Sequence, residues 1–376
     1  MQSPKLLYFV TEDWYFCSHR LPLAVAAKSA GYDVSLVTHV NAHGEVIRKA
    51  GIRLIPFDLS RRGMNPLSEL AVLARLIKVY RKEKPDILHH VAMKPVLYGS
   101  LAARFSGVPC VVNALAGLGY IFTSDAPKAR CLRPIVASAF KSLLNRKKTR
   151  LILQNDDDRK LFICNHFINA EKTKLIRGSG VDTEVFSLSP EPTGIPVVML
   201  ASRMLLDKGI VEFVEAARQF KGGGIEARFV LVGDTDVHNP SAIPNGQLAF
   251  WQSEGLIEWW GRCENMPAVL QQANVVCLPS YREGLPKVLL EAASSGRAIV
   301  TTDVPGCREV VRNGENGFLV PLHSVAELAD ALQKLIGNKT LRHKMGVRGR
   351  EIVVNEFSIE KVIKETLSAY DELRTQ

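Results

Sequence analysis

Apolar and polar residues alternate along the first half of the chain in a pattern of short strands and longer helices. The predicted strands cover residues 5–10, 34–38, 53–57, 87–90, 109–113 and 151–154, and the predicted helices cover residues 21–30, 67–83 and 96–105. A polar loop is predicted between the first strand and the first helix. Strands separated by helices of this kind pair in parallel through crossover connections. This half is therefore predicted to form a parallel sheet covered by helices.

The second half repeats the pattern after a segment with three prolines. That segment, residues 183–196, has no helical period and is typical of a linker. Strands are predicted over residues 197–202, 228–233, 275–279 and 298–302, and helices over residues 210–220, 267–272, 288–293 and about 359–373. The 376 residues exceed the size at which one core usually stops growing. We therefore expect two doubly wound α/β domains.

The composition is that of an ordinary folded protein, with 47% hydrophobic and 23% charged residues. No apolar run approaches the roughly 20 residues that a membrane-spanning helix needs, and the N-terminus lacks the pattern of a signal peptide. We therefore expect a cytosolic protein. The seven cysteines are scattered singly without a Cys-x-x-Cys pair, which favours reduced thiols over a disulfide or zinc framework.

Positive charge is concentrated in the first half. Residues 1–190 carry 28 Lys and Arg against 15 Asp and Glu, a formal charge of +13, whereas the remainder carries 20 against 23, or −3. A basic half indicates an anionic partner surface. The chain has no zinc-finger spacing, helix-turn-helix signature or basic region interleaved with aromatic residues, so an anionic membrane is favoured over nucleic acid.

The densest basic stretch, residues 128–150, has the composition of an amphipathic helix that lies in the lipid headgroup region. Such a helix gains on the order of 1 kcal/mol for each basic residue near the surface. The alternative is a solvated amphipathic helix of the domain. The apolar residues of this stretch are Ile135, Val136, Phe140, Leu143 and Leu144, and the basic ones include Arg130, Arg133, Lys141, Arg146, Lys147 and Lys148.

Two glutamates eight residues apart flank a Gly-Pro helix start directly after the strand predicted at residues 275–279. The segment reads Glu283-Gly-Leu-Pro-Lys-Val-Leu-Leu-Glu291, with Pro286 as an early helical position. A helix start suits a diphosphate, and carboxylates accept hydrogen bonds from sugar hydroxyls. The pattern suits a sugar nucleotide; the alternative is an ordinary strand-to-helix unit with solvated glutamates.

Further candidate residues follow neighbouring strands of the second half. Ligands of open parallel sheets bind beyond the carboxyl ends of the strands, which brings Arg203, Lys208 and Gly233 to the same edge as the Glu283 loop. The two cations suit a leaving diphosphate, whose charge grows in the transition state. The alternative for each cation is a surface salt bridge.

The glutamate pair and several other segments resemble the retaining glycosyltransferases of family 4. The resemblance runs through residues 177–186, 201–209, 229–234 and 306–311, and residues 18–24, 94–104 and 117–120 look less specifically like the subgroup that extends bacterial lipid-linked oligosaccharides. It implies the GT-B fold, with two Rossmann-like domains facing a cleft. The acceptor-binding domain would be residues 1–185 and the nucleotide-sugar-binding domain residues 186–376, and the last helix is a candidate to cross back to the first domain.

The resemblance also implies roles for individual residues. Glu291 would accept the ribose hydroxyls, and Glu283 would hold the donor sugar and its phosphate. Arg203 and Lys208 would contact the diphosphate. The remaining donor-binding candidates are Gly284, Leu285, Pro286, Lys287, Gly233 and Gly261, and the acceptor-binding candidates, taken to lie just after strands or at helix starts, are His19, Arg20, Lys94, Tyr98 and Asn113.

The chain departs from the family pattern at three places. Residues 11–15 replace a Gly-Gly pair that many relatives have, Ser202 replaces a usual glycine, and Asn113 lies where many relatives have histidine. The first change weakens any simple phosphate contact by the loop after the first strand. Because the third removes a familiar contact to the donor sugar, the identity of the donor cannot be copied from the wider family.

No metal or other cofactor is expected. Asp156-Asp157-Asp158 contains an Asp-x-Asp pattern, but it lies between a predicted strand and a helical segment, where capping explains it. The resembled family normally works without metal and is thought to retain configuration by front-face attack. A nucleophilic Glu283, as in retaining hydrolases, is the less favoured reading.

The resulting hypothesis is a cytosolic, peripheral membrane glycosyltransferase at the inner face of the cell membrane. Its donor would be a UDP-N-acetylhexosamine or UDP-hexose, and its acceptor a polyprenyl diphosphate-linked saccharide. The alternatives are a sugar-nucleotide epimerase of the same architecture, for which no convincing acid-base pair is present, and a non-catalytic protein that binds sugar nucleotide or membrane.

Overall fold

The chain is divided into two compact units. The structure is a computed structural model that describes residues 3–59, 66–117, 122, 127–236 and 239–376. Unit 1 comprises Met1–Ser179 and Val362–Gln376, and unit 2 comprises Gly180–Lys361. The division falls between Ser179 and Gly180, a little before the predicted boundary, and the C-terminal segment belongs to unit 1. Of the motif at residues 117–120, residues 118–120 lie outside the described residues.

Unit 1 contains a seven-stranded sheet in which all neighbouring strands pair in parallel, in the order β3-β2-β1-β4-β5-β6-β7. Its strands are β1 (Lys5–Glu12), β2 (Asp33–His39), β3 (Arg53–Pro56), β4 (Ile87–Val91), β5 (Cys110–Leu115), β6 (Thr149–Leu153) and β7 (Thr173–Leu175). Its helices are α1 (Asp13–His19), α2 (Leu21–Ser29), α3 (Gly44–Lys49), α4 (Pro66–Glu83), α5 (Met93–Ser106), α6 (Pro127–Leu144) and α7 (Asp156–Cys164), followed by a 3-10 turn, Ala170–Lys172.

Unit 2 contains a six-stranded parallel sheet in the order β10-β9-β8-β11-β12-β13. Its strands are β8 (Val197–Ala201), β9 (Arg228–Val232), β10 (Glu258–Trp259), β11 (Val275–Leu278), β12 (Ala298–Thr302) and β13 (Gly317–Val320). Its helices are α8 (Ile210–Gly222), α9 (Asn245–Ser253), α10 (Met266–Gln271), α11 (Lys287–Ser294), α12 (Pro305–Val310), α13 (Val325–Ile336) and α14 (Lys339–Glu356), with a 3-10 turn, Leu206–Lys208; α15 (Ile359–Thr375) ends the chain.

The predicted α/β class with two parallel sheets is confirmed. The predicted apolar runs form central strands such as β5, β8 and β11. These strands are buried along their whole length because helices cover both faces of a parallel sheet. Within the described residues, no helix is both long and apolar enough to cross a membrane.

The loop predicted between β1 and the first helix is wrong, because residues Asp13–His19 form α1. Its aromatic, serine and histidine residues are weak helix formers, so the sequence favours a loop there. Tertiary contacts supply the missing stability: Phe16 is fully buried in the core, and the Asp13 carboxylate accepts hydrogen bonds from the backbone N–H groups of Asn41 (2.7 Å) and His43 (2.9 Å). The sequence pattern predicts no element for residues 303–358, which hold α12, β13, α13 and α14.

Helix α15 is joined to the sheet of unit 1 by a buried hydrogen-bond chain. The hydroxyl of Tyr370 lies 2.9 Å from the hydroxyl of Tyr8 on β1 and 2.5 Å from Nδ1 of His89 on β4. All three residues are fully buried. The last helix therefore satisfies polar groups that the sheet leaves in its own core.

Replacing Tyr370 by phenylalanine should lower the free energy of unfolding of the protein by about 1–3 kcal/mol, because the partners of the lost hydroxyl stay buried. Urea denaturation measures the change. Ser368→Ala, which removes an exposed hydrogen bond to Glu372 on the same helix, should have little effect. Equal midpoints for Tyr370→Phe and the unaltered protein would contradict the importance of this chain.

Candidate functional site

The segment with the two glutamates follows β11 at the carboxyl edge of the unit 2 sheet. Glu283 lies in the loop before α11, and Glu291 lies within that helix, as predicted. Pro286 is the N-cap residue, with φ −74° and ψ 114°, and the helix begins at Lys287 rather than at Pro286. The fixed φ of proline still sets the entry into the helix.

Glu283 is paired with Lys208 from the neighbouring strand connection. Nζ of Lys208 donates to Oε1 of Glu283 at 2.5 Å, and the two side chains are 18% and 13% exposed. A charged pair with so little access to water interacts more strongly than a surface pair. The structure thus brings these two predicted site residues into direct contact.

Arg203 lies in a different setting. Its side chain is 52% exposed and pairs with Asp236 at 3.0 Å. This is the surface salt bridge that the sequence analysis held as the alternative for this residue. An exposed pair of this kind contributes little to the free energy of folding. The Arg203 guanidinium can therefore leave Asp236 and bind an anionic ligand at little cost in stability.

Backbone contacts hold the two loops together. The N–H of Tyr281 donates to the carbonyl of Asp207 at 2.9 Å. Gly209 has φ +72°, and a Cβ atom there would lie 2.1 Å from the carbonyl oxygen of Pro279. The approach that places Lys208 beside Glu283 therefore requires glycine at this position.

The other side of the Glu283 loop rests on α12. A Cβ atom at Gly306 would lie 2.4 Å from the carbonyl oxygen of Gly284. The side chain of Thr302 donates to the carbonyl of Ser280 beneath the loop. Gly306, which belongs to the segment 306–311 of the family resemblance, therefore allows α12 to pack closely against the Glu283 loop.

Glu291 is buried and close to one cation. Its carboxylate is 8% exposed and lies 3.3 Å from Nζ of Lys287. Burial raises the pKa of Glu291 above its ordinary value, and Lys287 offsets only part of this effect. Among the described residues, Lys287 is the cation that lies within salt-bridge distance of this carboxylate.

Gly233 and Gly261 differ in why they are glycine. Gly233 has φ +133°, and a Cβ atom there would lie 1.9 Å from the carbonyl oxygen of Ser202. Its N–H donates to the carbonyl of Gly261 at 2.7 Å. The close contact between the ends of β8 and β9 is thus sufficient to require glycine at position 233, and no bound ligand is needed to explain it. Gly261 has φ +64°, and a Cβ atom there would meet only Asp234 Oδ1, at 3.9 Å.

Asn113 was predicted to lie just after a strand, but it lies inside β5 and is fully buried. Its Oδ1 lies 2.8 Å from Nδ1 of His90 and 3.0 Å from the hydroxyl of Ser100. Burial lowers the pKa of His90 to about 4, so the ring is neutral at physiological pH. Asn113 therefore forms hydrogen bonds with His90 and Ser100 in the interior of unit 1 and does not face solvent.

Lys94, Tyr98 and His19 are only partly buried. Nζ of Lys94 donates to Glu69 at 2.8 Å and lies 5.3 Å from the centre of the Tyr98 ring. Burial, followed by the hydrogen bond to Glu69, raises the pKa of Tyr98 above its ordinary value. The ring of His19 stacks on that of Tyr15 with centroids 4.2 Å apart.

Arg20 is the most unusual of the predicted acceptor residues. It is 3% exposed, and among the described residues its side chain makes no salt bridge and its Nε has no hydrogen-bond partner. Burial, followed by the charge of Arg20, holds the pKa of His89 well below its usual range. An arginine that is buried without a carboxylate is costly, because its desolvation is not offset by a counter-charge.

The three aspartates form the first turn of α7, where their charges face the positive end of the helix dipole. The cap itself is Asn155, whose side chain accepts from the N–H of Asp158 at 2.7 Å. The expectation that the aspartates cap this helix is therefore corrected, because Asn155 is the capping residue and the aspartates occupy the first turn. Within the described ranges, no group of three His, Cys, Asp or Glu side chains is arranged to hold a metal ion.

Two residues beside the Glu283 loop were not predicted. The hydroxyl of Tyr281 donates to Oε1 of Glu212 on α8 at 2.7 Å. Tyr281 lies two residues before Glu283, but 69 positions separate it from Glu212. No sequence pattern links the two.

Glu291→Gln should make unit 2 more stable at neutral pH. A carboxyl whose pKa is raised in the folded state loses stability as pH rises from its unfolded value to its folded value, so the neutral amide gains over it above that window. We expect a midpoint higher by about 2–4 °C at pH 7.5, which corresponds to about 1 kcal/mol.

Calorimetry between pH 4 and 8 checks the sign, because the difference should shrink towards pH 4. Glu315→Gln, at an exposed pair with Arg348, is the matched control and should show no such gain. A lower midpoint for Glu291→Gln at every pH would contradict a raised pKa.

Comparison with known proteins identifies the family. The model described as glycosyl transferase 4-like matches residues 5–155, and the one described as glycosyl transferases group 1 matches residues 195–338. The chain is 26% identical over 365 residues, 94% of each chain, to the N,N'-diacetylbacillosaminyl-diphospho-undecaprenol alpha-1,3-N-acetylgalactosaminyltransferase of Campylobacter jejuni. It is 27% identical over 322 residues, 82% of this chain and 81% of the other, to the UDP-Gal:alpha-D-GlcNAc-diphosphoundecaprenol alpha-1,3-galactosyltransferase of Escherichia coli.

The fold agrees with this result. The crystal structure of Anabaena HepE in complex with UDP superposes with a TM-score of 0.77 at 17% identity, over 98% of this chain and 100% of that one. Sucrose-phosphate synthase of Thermosynechococcus elongatus gives a TM-score of 0.81 at 19% identity, over 98% and 99%. The expected GT-B fold is confirmed. The two family matches cover most of the chain in the order found in unit 1 and unit 2, and the protein therefore belongs to the group 1, family-4-like glycosyltransferases.

Proposed function

We propose that the protein transfers a sugar from a UDP-sugar to a polyprenyl diphosphate-linked saccharide, with retention of configuration and without a metal ion. The observation that carries this proposal is the shielded Lys208–Glu283 pair in the loop before α11, followed by the buried Glu291 within that helix. A cation, a paired carboxylate and a helix start on one sheet edge suit a nucleoside diphosphate bound to a sugar.

The relatives support the class of acceptor and donor. The Campylobacter and Escherichia coli enzymes are both named for undecaprenol diphosphate-linked acceptors, and the second is named for a UDP-hexose donor. The sugars they transfer, an N-acetylhexosamine and a hexose, match the two donor types proposed for this chain.

In unit 2, Glu291 would accept hydrogen bonds from the ribose hydroxyls. Glu283 and the backbone from Gly284 to Lys287, which includes Leu285 and Pro286, would hold the donor sugar and its phosphate, and the open surface at Gly261 admits the nucleotide. Lys208 and Arg203 would neutralise the charge that grows on UDP as the bond from the sugar carbon to phosphate breaks.

Retention would follow from attack on the face that the leaving group departs from. The bond from the sugar carbon to the UDP oxygen breaks, the acceptor hydroxyl forms the new bond, and its proton passes to the departing phosphate. The ion pair with Lys208 argues against Glu283 as a nucleophile, because it stabilises the carboxylate and lowers its reactivity.

Unit 1 would bind the acceptor. The uncompensated charge of Arg20 favours an anion, and a diphosphate would supply the missing partner. Lys94, Tyr98 and His19 lie on helices α5 and α1 and are accessible for further contacts with phosphate or sugar. Asn113 is buried and is therefore assigned to the support of His90 rather than to direct contact with the acceptor.

The membrane contact would be electrostatic. Of the apolar residues in the basic stretch, Val136, Phe140, Leu143 and Leu144 pack in the core of unit 1, and Ile135 is 65% exposed. The apolar side of α6 is therefore not available for insertion. Burial lowers the pKa of Arg146, and the charge of Arg104 lowers it further.

The proposed location is the inner face of the cell membrane. A lipid-linked acceptor would be held in the membrane, and the negatively charged cytoplasmic leaflet attracts basic segments.

Purified protein should convert a polyprenyl diphosphate-linked saccharide to a product heavier by one sugar when a panel of UDP-sugars is offered. Lys208→Ala should lower kcat by about 10²–10³-fold, because it removes a cation from the negative charge that develops on the leaving UDP.

Glu291→Ala should abolish binding of the UDP-sugar donor. Mass spectrometry of the lipid product and calorimetry with UDP measure these effects.

Glu315→Ala and Lys221→Ala, which change exposed residues of unit 2, are the matched controls and should keep full activity. NMR of the product reports the anomeric configuration, and unchanged turnover in EDTA is expected. Interconversion of the nucleotide sugar would favour an epimerase instead, and full donor affinity in Glu291→Ala would refute the assignment of the site.

Binding to vesicles should require anionic lipid and weaken with salt, since exposed charges are screened at higher ionic strength. Replacing the exposed Arg130, Lys141 and Lys147 by glutamine should weaken binding by about 3 kcal/mol at low salt. Co-sedimentation measures it, with three exposed basic residues of unit 2, Lys221, Lys339 and Lys344, replaced as the control. Equal binding to neutral vesicles would remove the electrostatic proposal.

A further inference from the structure

In unit 2, the buried side-chain atoms without a hydrogen-bond partner that the structure describes lie next to Tyr281. Within the part of unit 2 that the structure describes, two side-chain atoms are buried and lack a hydrogen-bond partner, namely Oε2 of Glu212 and Oγ of Ser280. Ser280 precedes Tyr281, and Glu212 accepts the Tyr281 hydroxyl through its other oxygen. Unsatisfied buried groups are rare and destabilising, so their position beside the loop points to a role other than stability.

Tyr281 connects the two loops that carry Lys208 and Glu283. Its N–H donates to the carbonyl of Asp207, the residue before Lys208, at 2.9 Å. Its hydroxyl donates to Glu212, in the first turn of α8, at 2.7 Å. The backbone of Tyr281 thus fixes one loop against the other, and its side chain anchors both to a helix.

His323 completes the surroundings of Tyr281. Its Nδ1 lies 3.3 Å from the same Oε1 of Glu212, and its ring lies 4.2 Å from the Tyr281 ring at an angle of 65°. The backbone of His323 has φ +58°, a left-handed conformation that is unfavourable for a residue with a side chain. Strain of this kind persists where neighbouring contacts hold it, and it clusters at functional sites.

The Tyr281 hydroxyl remains a donor over the working range of pH. Burial, followed by the hydrogen bond to Glu212, raises the pKa of Tyr281 well above its usual value. The contact with Glu212 is therefore a phenol donating to a carboxylate, which is stronger than a hydrogen bond between neutral groups.

We propose that Tyr281, held by Glu212 and His323, is a positioning residue that sets the placement of Lys208 and Glu283 for sugar transfer. This inference rests on the proposed function. Neither Glu212 nor His323 needs to touch the substrate. The effect is expected to be on the rate of transfer, because a displacement of about 1 Å at reacting groups can slow a reaction by about 10²-fold.

Tyr281→Phe keeps the ring and removes the hydroxyl. We expect kcat for transfer to fall by about tenfold or more, with the Kd of UDP within about twofold of the unaltered protein, because Glu291 is unaffected. Glu212→Gln retains an acceptor for the hydroxyl and should keep most of the activity, whereas Glu212→Leu should behave like Tyr281→Phe. This split between kcat and Kd, and the recovery with glutamine, would not follow from a loss of stability alone.

The matched control is Tyr32→Phe in unit 1. It removes a phenol-to-carboxylate hydrogen bond of the same kind, from Tyr32 to Asp371 at 2.8 Å, and should leave kcat unchanged. In the Lys208→Ala background, Tyr281→Phe should add little further loss, because it acts through that residue. Full additivity of the two changes would show that Tyr281 acts elsewhere.

Hydrogen exchange of the free protein tests the positioning separately from the chemistry. Amide exchange in residues 279–288 should be several-fold faster in Tyr281→Phe and Glu212→Leu than in the unaltered protein, Glu212→Gln or Tyr32→Phe. Unchanged exchange, or an unchanged kcat, in Tyr281→Phe would overturn the inference. If the unaltered protein transfers no sugar, the proposed function fails, and the catalytic part of the inference with it; the exchange result then decides whether Tyr281 orders the loop.

Discussion

The candidate donor site depends on the close approach of two backbone segments, the turn that ends at Gly209 and the loop that begins at Pro279. A single Cβ atom at Gly209 would collide with the carbonyl of Pro279. Because the segments are this close, Lys208 reaches Glu283 with little exposure of either charge to water. On the other side of the loop, a Cβ atom at Gly306 would likewise collide with the carbonyl oxygen of Gly284. Two glycines thus set a geometry that charged side chains then use.

Both units hold charges that a stable fold would avoid. Glu291 is buried and its pKa is raised, and Arg20 is buried and makes no salt bridge within the described part of the chain. Each is costly in the free protein, because desolvation of a charge exceeds what one partial partner returns. A bound nucleotide or diphosphate would supply the missing hydrogen bonds and counter-charge. The two buried charges that lower the stability of the free protein, Glu291 and Arg20, therefore lie where ligand binding is proposed.

The basic stretch of unit 1 forms a helix whose buried apolar residues lie in the core of the domain. Of the apolar residues that suggested insertion into lipid, Val136, Phe140 and Leu144 pack instead in the same core cluster as Phe162 and Ile168. What stays outside is charge, with Ile135 as the exposed apolar residue of the set. Helix amphipathicity marks a face that avoids water, but the domain core removes that face from water as effectively as a lipid layer does. The membrane proposal accordingly changes from insertion to electrostatic attraction.

The sequence by itself determined the class of fold, the two parallel sheets and the segment with Glu283 and Glu291, because these follow from local periodicity, helix-start residues and spacing within a few positions. Tertiary structure decided the rest. Helix α1 forms because Phe16 packs in the core and one carboxylate oxygen of Asp13 accepts hydrogen bonds from the backbone of distant residues. Asn113, predicted as an accessible residue, is buried by its position inside β5. The pairing of Tyr281 with Glu212 joins residues 69 positions apart. Contacts of this kind depend on how strands are ordered and how loops meet at a sheet edge, and no local pattern of residues records that arrangement.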